Sequence, residues 1–142
     1  MVAMTIFETH IALMKSSGRE GQIPLGQLSP GALAYLGDAV FELYVRTRFL
    51  WPPQRLARYH QQVVAQVRAE SQAAMLQGLL PHLTATEQDW VRRGRNAANG
   101  CPRRLAPELY QQATSLETLL GYLYLENPER LHELLELVAI SG

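Results

Sequence analysis

The chain has 142 residues, 47% of them hydrophobic, and a formal net charge of zero, which is enough for one domain with a real core. No apolar run approaches the roughly 18 residues that span a bilayer, and the stretch from Met1 to Met14, with Glu8 and His10 and no basic start, does not read as a signal peptide. The single cysteine, Cys101, excludes an internal disulfide and a cysteine-based zinc cluster, so a reducing, cytoplasmic compartment is the expectation.

Every strong periodic signal along the chain is helical, and no run alternates apolar and polar residues, so the expectation is an all-α, single-domain helical bundle spanning 1–142. A weak first helix over Thr5 to Lys15 ends at Ser16-Ser17-Gly18, and residues 1–27 read as a variable N-terminal segment. Ser29-Pro30 is a cap followed by proline at the first helical position. It opens a helix with Leu36, Val40 and Leu43 on one stripe, stopping near Trp51-Pro52-Pro53. Gln54 to Leu80 is helical with a break expected between Val67 and Glu70, and Pro81 closes it. Thr84-Ala85-Thr86-Glu87 has capping-box spacing and starts a helix through Trp90 that should end in the Gly94 to Gly100 cluster. Residues 96–107 then read as an exposed basic loop with Pro102 and Pro107 as breakers. A strongly apolar helix over Glu108 to Glu126 follows. Asn127-Pro128 caps a last helix that buries Leu131, Leu134, Leu135 and Val138.

The neutral total hides an uneven layout. Five arginines (Arg46, Arg48, Arg55, Arg58, Arg68) fall between Leu43 and Ala69, and five more (Arg92, Arg93, Arg95, Arg103, Arg104) between Trp90 and Pro107, with no acid in either stretch. Arginine presents a planar fork of donors that suits phosphate, although solvated helix faces would give the same counts.

Two acids stand out. Asp38 lies mid-helix in Leu36-Gly37-Asp38-Ala39-Val40, and Glu117 lies in the most apolar helix, in Leu116-Glu117-Thr118-Leu119-Leu120-Gly121. A buried carboxylate must pair, hold a metal or keep its proton. Each acid has a helix-interior glycine nearby, Gly37 or Gly121, which costs about 1 kcal/mol relative to alanine and would let the two acid-bearing helices approach closely. Each acid could instead cap a helix or pair with an arginine. Glu42, one turn after Asp38, reads as a group supporting that acid or as a salt-bridge partner, and Glu133 and Glu136 read as solvent-facing. The histidines (His10, His60, His82, His132) show no metal-ligand spacing, and Cys101 has no evident histidine partner.

The segment Leu33-Ala34-Tyr35-Leu36-Gly37-Asp38-Ala39-Val40 resembles the signature helix of the ribonuclease III family, E-x-x-E-F-L-G-D-A/S-V/I. Thr114-Ser115-Leu116-Glu117-Thr118-Leu119-Leu120-Gly121-Tyr122-Leu123-Tyr124-Leu125-Glu126 resembles its second motif, D-x-x-E-A-L-I-G-A-x-Y-L-D, and the basic Arg92-Arg93-Gly94-Arg95-Asn96 segment stands between them. Over Leu28 to Leu137 the chain is most similar to the mini-ribonuclease III subclass, which lacks the double-stranded-RNA-binding domain. The motif glutamates fall at Gly31 and Ala34 and the motif aspartate at Thr114, so only Asp38 and Glu117 carry over as acids, with Thr114 left in a supporting place.

The resemblance implies the ribonuclease III endonuclease-domain fold and a magnesium-dependent cut of double-stranded RNA. Asp38 and Glu117 would be catalytic residues and metal ligands. Arg92, Arg93, Arg95, Arg103 and Arg104 would contact RNA, with Arg46, Arg48, Arg55 and Arg58 as lesser candidates. It further implies a homodimer paired through the signature helices, no membrane, and maturation of large-subunit ribosomal RNA precursors. The missing acids also fit an inactive RNA- or ribosome-binding scaffold, and a helical protein-interaction module would need the arginines only for solvation.

Overall fold

The computed structural model describes residues 24–138, so the helix expected over Thr5 to Lys15 lies outside the described residues. Among these residues there are no strands. Six helices follow one another: α1 (Pro30–Phe49), α2 (Leu56–Val67), α3 (Ala69–Leu79), α4 (Ala85–Ala97), α5 (Pro107–Glu126) and α6 (Pro128–Leu137), with short 3-10 turns at Leu25–Gln27 and Leu80–His82.

The caps sit where the residue types place them. The Ser29 hydroxyl accepts from the Ala32 amide at 3.0 Å with Pro30 at the first helical position, and the Asn127 side chain accepts from the Arg130 amide at 3.1 Å. Thr84 and Glu87 form a reciprocal capping box, with bonds of 2.9 and 3.1 Å. The expected break falls at Arg68, whose extended backbone separates α2 from α3.

Helix α5 runs through the centre and packs against α1, α3, α4 and α6. Its Leu116, Leu119, Leu120 and Leu123 are buried in one core with Leu33, Phe41 and Val45 of α1, Leu76 and Leu79 of α3, Trp90 of α4, and Leu131 and Leu134 of α6. Helix α2 lies outermost and buries only Val63.

One expectation is corrected. The stripe Leu36, Val40, Leu43 is split: Val40 is buried, Leu36 is half-buried and Leu43 is exposed. Helix α1 is apolar almost all round, so periodicity alone could not choose its inward face; the face centred on Gly37 and Phe41 turns inward. Helix α4 ends inside the expected Gly94 to Gly100 cluster, and Gly94 itself has a further role. A Cβ built there would lie 2.5 Å from Thr118 Oγ1 and 2.8 Å from Thr118 Cβ, so this glycine is a contact point with α5. Helix α4 continues to Ala97, and the loop begins at Ala98.

One buried ion pair ties α4 to α6. Arg130 donates from Nε to Glu87 Oε2 at 2.9 Å, and from Nη2 to Glu87 Oε1 at 3.0 Å and to the His82 carbonyl at 2.8 Å. Its Nη1 reaches Glu133 at 2.8 Å, so Glu133 is not merely solvated. Hydrogen bonding from Arg130 holds the Glu87 carboxyl below its ordinary value of 4.5, against the opposing effect of burial. Arg130→Ala leaves that carboxylate buried and unpaired, and should cost about 3–5 kcal/mol in urea unfolding. A loss below 1 kcal/mol would show the pair to be dispensable. Because the folded pKa of Glu87 is depressed, the pair's contribution is present above the unfolded value and fades as pH falls through the folded one.

Candidate active site

The crossing of α1 and α5 builds the site. A Cβ at Gly37 would lie 1.7 Å from the Glu117 carbonyl oxygen, and one at Gly121 would lie 2.0 Å from that of Leu33. The two backbones are therefore in direct contact, a separation no side chain tolerates. Asp38 follows the first contact glycine, and Glu117 is the residue that glycine touches. Main-chain contact thus places both acids on one spot.

They line an open pocket of about 270 Å³ with Gly31, Ala34, Tyr35 and Thr114. Asp38 is solvent-exposed, not withdrawn among apolar neighbours, because Leu36 and Val40 point to other sides of α1. Glu117 is the half-buried member. Burial, then a hydrogen bond with Asp38 and its negative charge, push the Glu117 carboxyl up to about 9. Two carboxyls facing each other without a counter-ion must share a proton or a cation. The three positions at which the resemblance expects further acids, Gly31, Ala34 and Thr114, line this same pocket. Among the described residues no cluster of three or more His, Cys, Asp or Glu side chains is suited to a metal ion.

The remaining candidates separate into groups. Glu42 pairs with Arg46 on the surface of α1 and does not reach the pocket. Glu136 is engaged as well, accepting from the Tyr44 hydroxyl at 3.0 Å. Arg92 pairs with Asp89. Arg93 lies 4.1 Å above the Trp90 ring, which in turn stacks on Tyr122 at 5.0 Å. Arg95, Arg103 and Arg104 are exposed and make no ion pair with any described residue. Cys101, His60, His82 and His132 stand away from the pocket.

One member of the site escapes a motif-based reading. The Tyr110 hydroxyl donates to the Asn99 carbonyl at 2.8 Å, and both residues line the pocket. This bond moors the start of the basic loop to α5 beside the acids. The signal was present as spacing, since Tyr110, Thr114 and Glu117 fall at i, i+4 and i+7 on one helix face.

Comparison with known proteins agrees with this geometry. Residues 31–128 match the ribonuclease III domain. A Mini-ribonuclease 3 from Synechocystis sp. is 59% identical over 138 residues, covering 96% of each chain. Another from Gloeobacter violaceus is 55% identical over 115 residues, covering 81% of this chain and 85% of the other. A third, from Clostridium tetani, is 35% identical over 118 residues, covering 80% and 78%. A crystal structure of a protein from Fusobacterium nucleatum superposes with a TM-score of 0.75 at 27% identity, covering 80% of this chain and 93% of that one. The fold, the paired motifs and these matches place the chain in the ribonuclease III family.

Proposed function

We propose that the chain is a magnesium-dependent endoribonuclease that hydrolyses phosphodiester bonds in double-stranded RNA, acts as a homodimer, and matures large-subunit ribosomal RNA precursors in the cytoplasm. The observation that carries this reading is the Asp38–Glu117 pair, brought together at a backbone contact and left without a counter-ion. Its names-in-kind, the Mini-ribonuclease 3 relatives, support it.

The donor set fits magnesium, which takes one or two carboxylates and keeps several waters. Asp38 and Glu117 would hold it, Glu117 as the carboxylate after losing its proton. When bound, the ion lowers the pKa of a coordinated water and neutralises charge developing on the phosphate. The chain's own contribution is to fix two ligand oxygens rigidly and to leave the rest of the pocket open to phosphate. Thr114 lines the same pocket. Tyr110 holds the start of the loop, and the exposed Arg95, Arg103 and Arg104 offer donors to backbone phosphates. Duplex RNA incubated with and without magnesium tests the reading. Cleavage only with the metal is expected. Binding without cleavage would favour the inactive scaffold, for which the non-acidic Gly31, Ala34 and Thr114 speak.

If Arg95, Arg103 and Arg104 contact phosphate, neutralising all three should shallow the log–log salt slope of duplex binding by roughly 2 to 3. The affinity loss should be similar for every duplex sequence. An unchanged slope would move recognition to Arg46, Arg48, Arg55 and Arg58.

The dimer reading also gains a surface. Tyr35 is 86% exposed and Leu43 45% exposed, and with Ala39 they form an i, i+4, i+8 apolar stripe on the outer face of α1. Val40, buried in the core, is excluded from it. A two-fold axis would set this face against its own copy. Sedimentation at micromolar concentration should show a dimer, and Tyr35→Asp with Leu43→Asp a folded monomer. A monomeric wild type would sink the homodimer.

A further inference from the structure

Where α1 ends, the chain turns through Trp51, Pro52 and Pro53 into α2, and the turn walls a cavity of about 470 Å³ that the function above does not use. From Asp38 to Arg48 the helix advances about 15 Å, so this cavity is separate from the acid pocket. No carboxylate lines it. Its chemistry comes from five side chains: Arg48, Trp51, Gln54, Arg58 and Gln62. Trp51 is 78% exposed, an expensive place for an indole without a partner. Arg58 makes no ion pair with a described residue, and Arg48 touches Glu136 only at 3.5 Å. Gln54 uses both amide hydrogens inside the protein, to the Phe49 carbonyl at 3.1 Å and to Gln62 Oε1 at 2.6 Å. That leaves the Gln54 carbonyl as an acceptor beside the Gln62 amide as a donor.

We infer that this cavity binds an unpaired nucleotide of the RNA substrate. An exposed aromatic face, two guanidinium groups and an adjacent acceptor–donor pair match the three parts of a nucleotide: base face, phosphate and base edge. A paired base keeps its faces covered by its neighbours in the stack, so the occupant is a nucleotide outside the duplex, such as a tail or bulge. The inference rests on the RNA reading above and adds to it a preference for duplexes that carry an unpaired end.

The test uses the full chain in metal-free buffer, so that no strand is cut. Tetra-adenylate should quench tryptophan fluorescence in the wild type and leave Trp51→Ala unaffected, since Trp90 is stacked on Tyr122 in the core. A duplex with an unpaired tail should bind about tenfold tighter than its blunt counterpart, the scale of one base stacked on an aromatic ring. Trp51→Ala and Gln62→Ala should abolish that preference while blunt-duplex affinity stays within twofold. Equal wild-type affinity for the two duplexes, or variants that weaken both alike, would overturn the site and leave duplex recognition standing. Quenching by tetra-adenylate in a protein that binds no duplex would support the site and overturn the duplex reading.

Discussion

Asp38→Asn and Glu117→Gln should each reduce magnesium-dependent duplex cleavage by on the order of a thousandfold, the rate equivalent of several kcal/mol of metal-supplied stabilisation. The amides keep the shape of the acids and lose the charge. Neither change should unfold the protein, because Asp38 is exposed and Glu117 is penalised in the metal-free state by burial and by Asp38. Glu117→Gln removes that penalty, so the variant's thermal midpoint without metal should match or exceed the wild type's. Added magnesium should raise the midpoint of the wild type only. Cleavage within a few-fold of wild type at saturating magnesium would remove the substituted residue from the metal site.

Gly121→Ala and Gly78→Ala should change stability in opposite directions, although both exchange a helical glycine for the best helix former. At Gly121 the new Cβ meets the Leu33 carbonyl oxygen at 2.0 Å, backbone against methyl with no rotamer to relieve it. Overpacking of yielding side chains already costs about 1–3 kcal/mol; here α1 must slide along α5, and the loss should exceed that range. The displacement also separates Asp38 from Glu117, so cleavage should fall even at temperatures where the variant stays folded. At Gly78, in α3, the nearest atom is Val138 Cγ1 at 3.7 Å, an ordinary contact. The helix-propensity gain there is up to about 1 kcal/mol. Denaturant midpoints of the two variants decide the matter, and a Gly121→Ala protein as stable as wild type would mean the helices are not held by this crossing.

Local signals in the sequence carried the secondary structure well. Ser29-Pro30, the Thr84–Glu87 box, the joint near Arg68 and Asn127-Pro128 are each set by residues within one turn of the feature they make. What depends on the third dimension was less visible. Leu43 and Phe41 look alike in an apolar helix, and only the partner helix decides which is covered. The Gly94 to Gly100 cluster does hold the end of α4, but Thr118, far along the chain, is what demands a residue without a side chain at Gly94. Arg92 and Arg93 are candidates for RNA contact that also have partners within α4, Asp89 and the Trp90 ring, each three residues earlier on the helix. The acid pair itself was readable because its two motifs stand beside glycines. The Tyr110 mooring was legible only as spacing with Thr114 and Glu117, since a hydroxyl reaching a loop carbonyl belongs to no motif.

The contact at Gly37 and Gly121 has a consequence for motion. Amides at the α1–α5 crossing, sealed in the core, should exchange with solvent only when the whole domain opens, whereas the exposed loop beyond its mooring at Asn99 should open locally. The two acids therefore belong to the slowest-exchanging tier of the molecule, and Arg103 and Arg104, on that loop, to the fastest. On the proposed reading the loop would adjust to the contour of an arriving RNA without altering the distance between the carboxylates, so fitting the substrate and keeping the metal geometry would not compete.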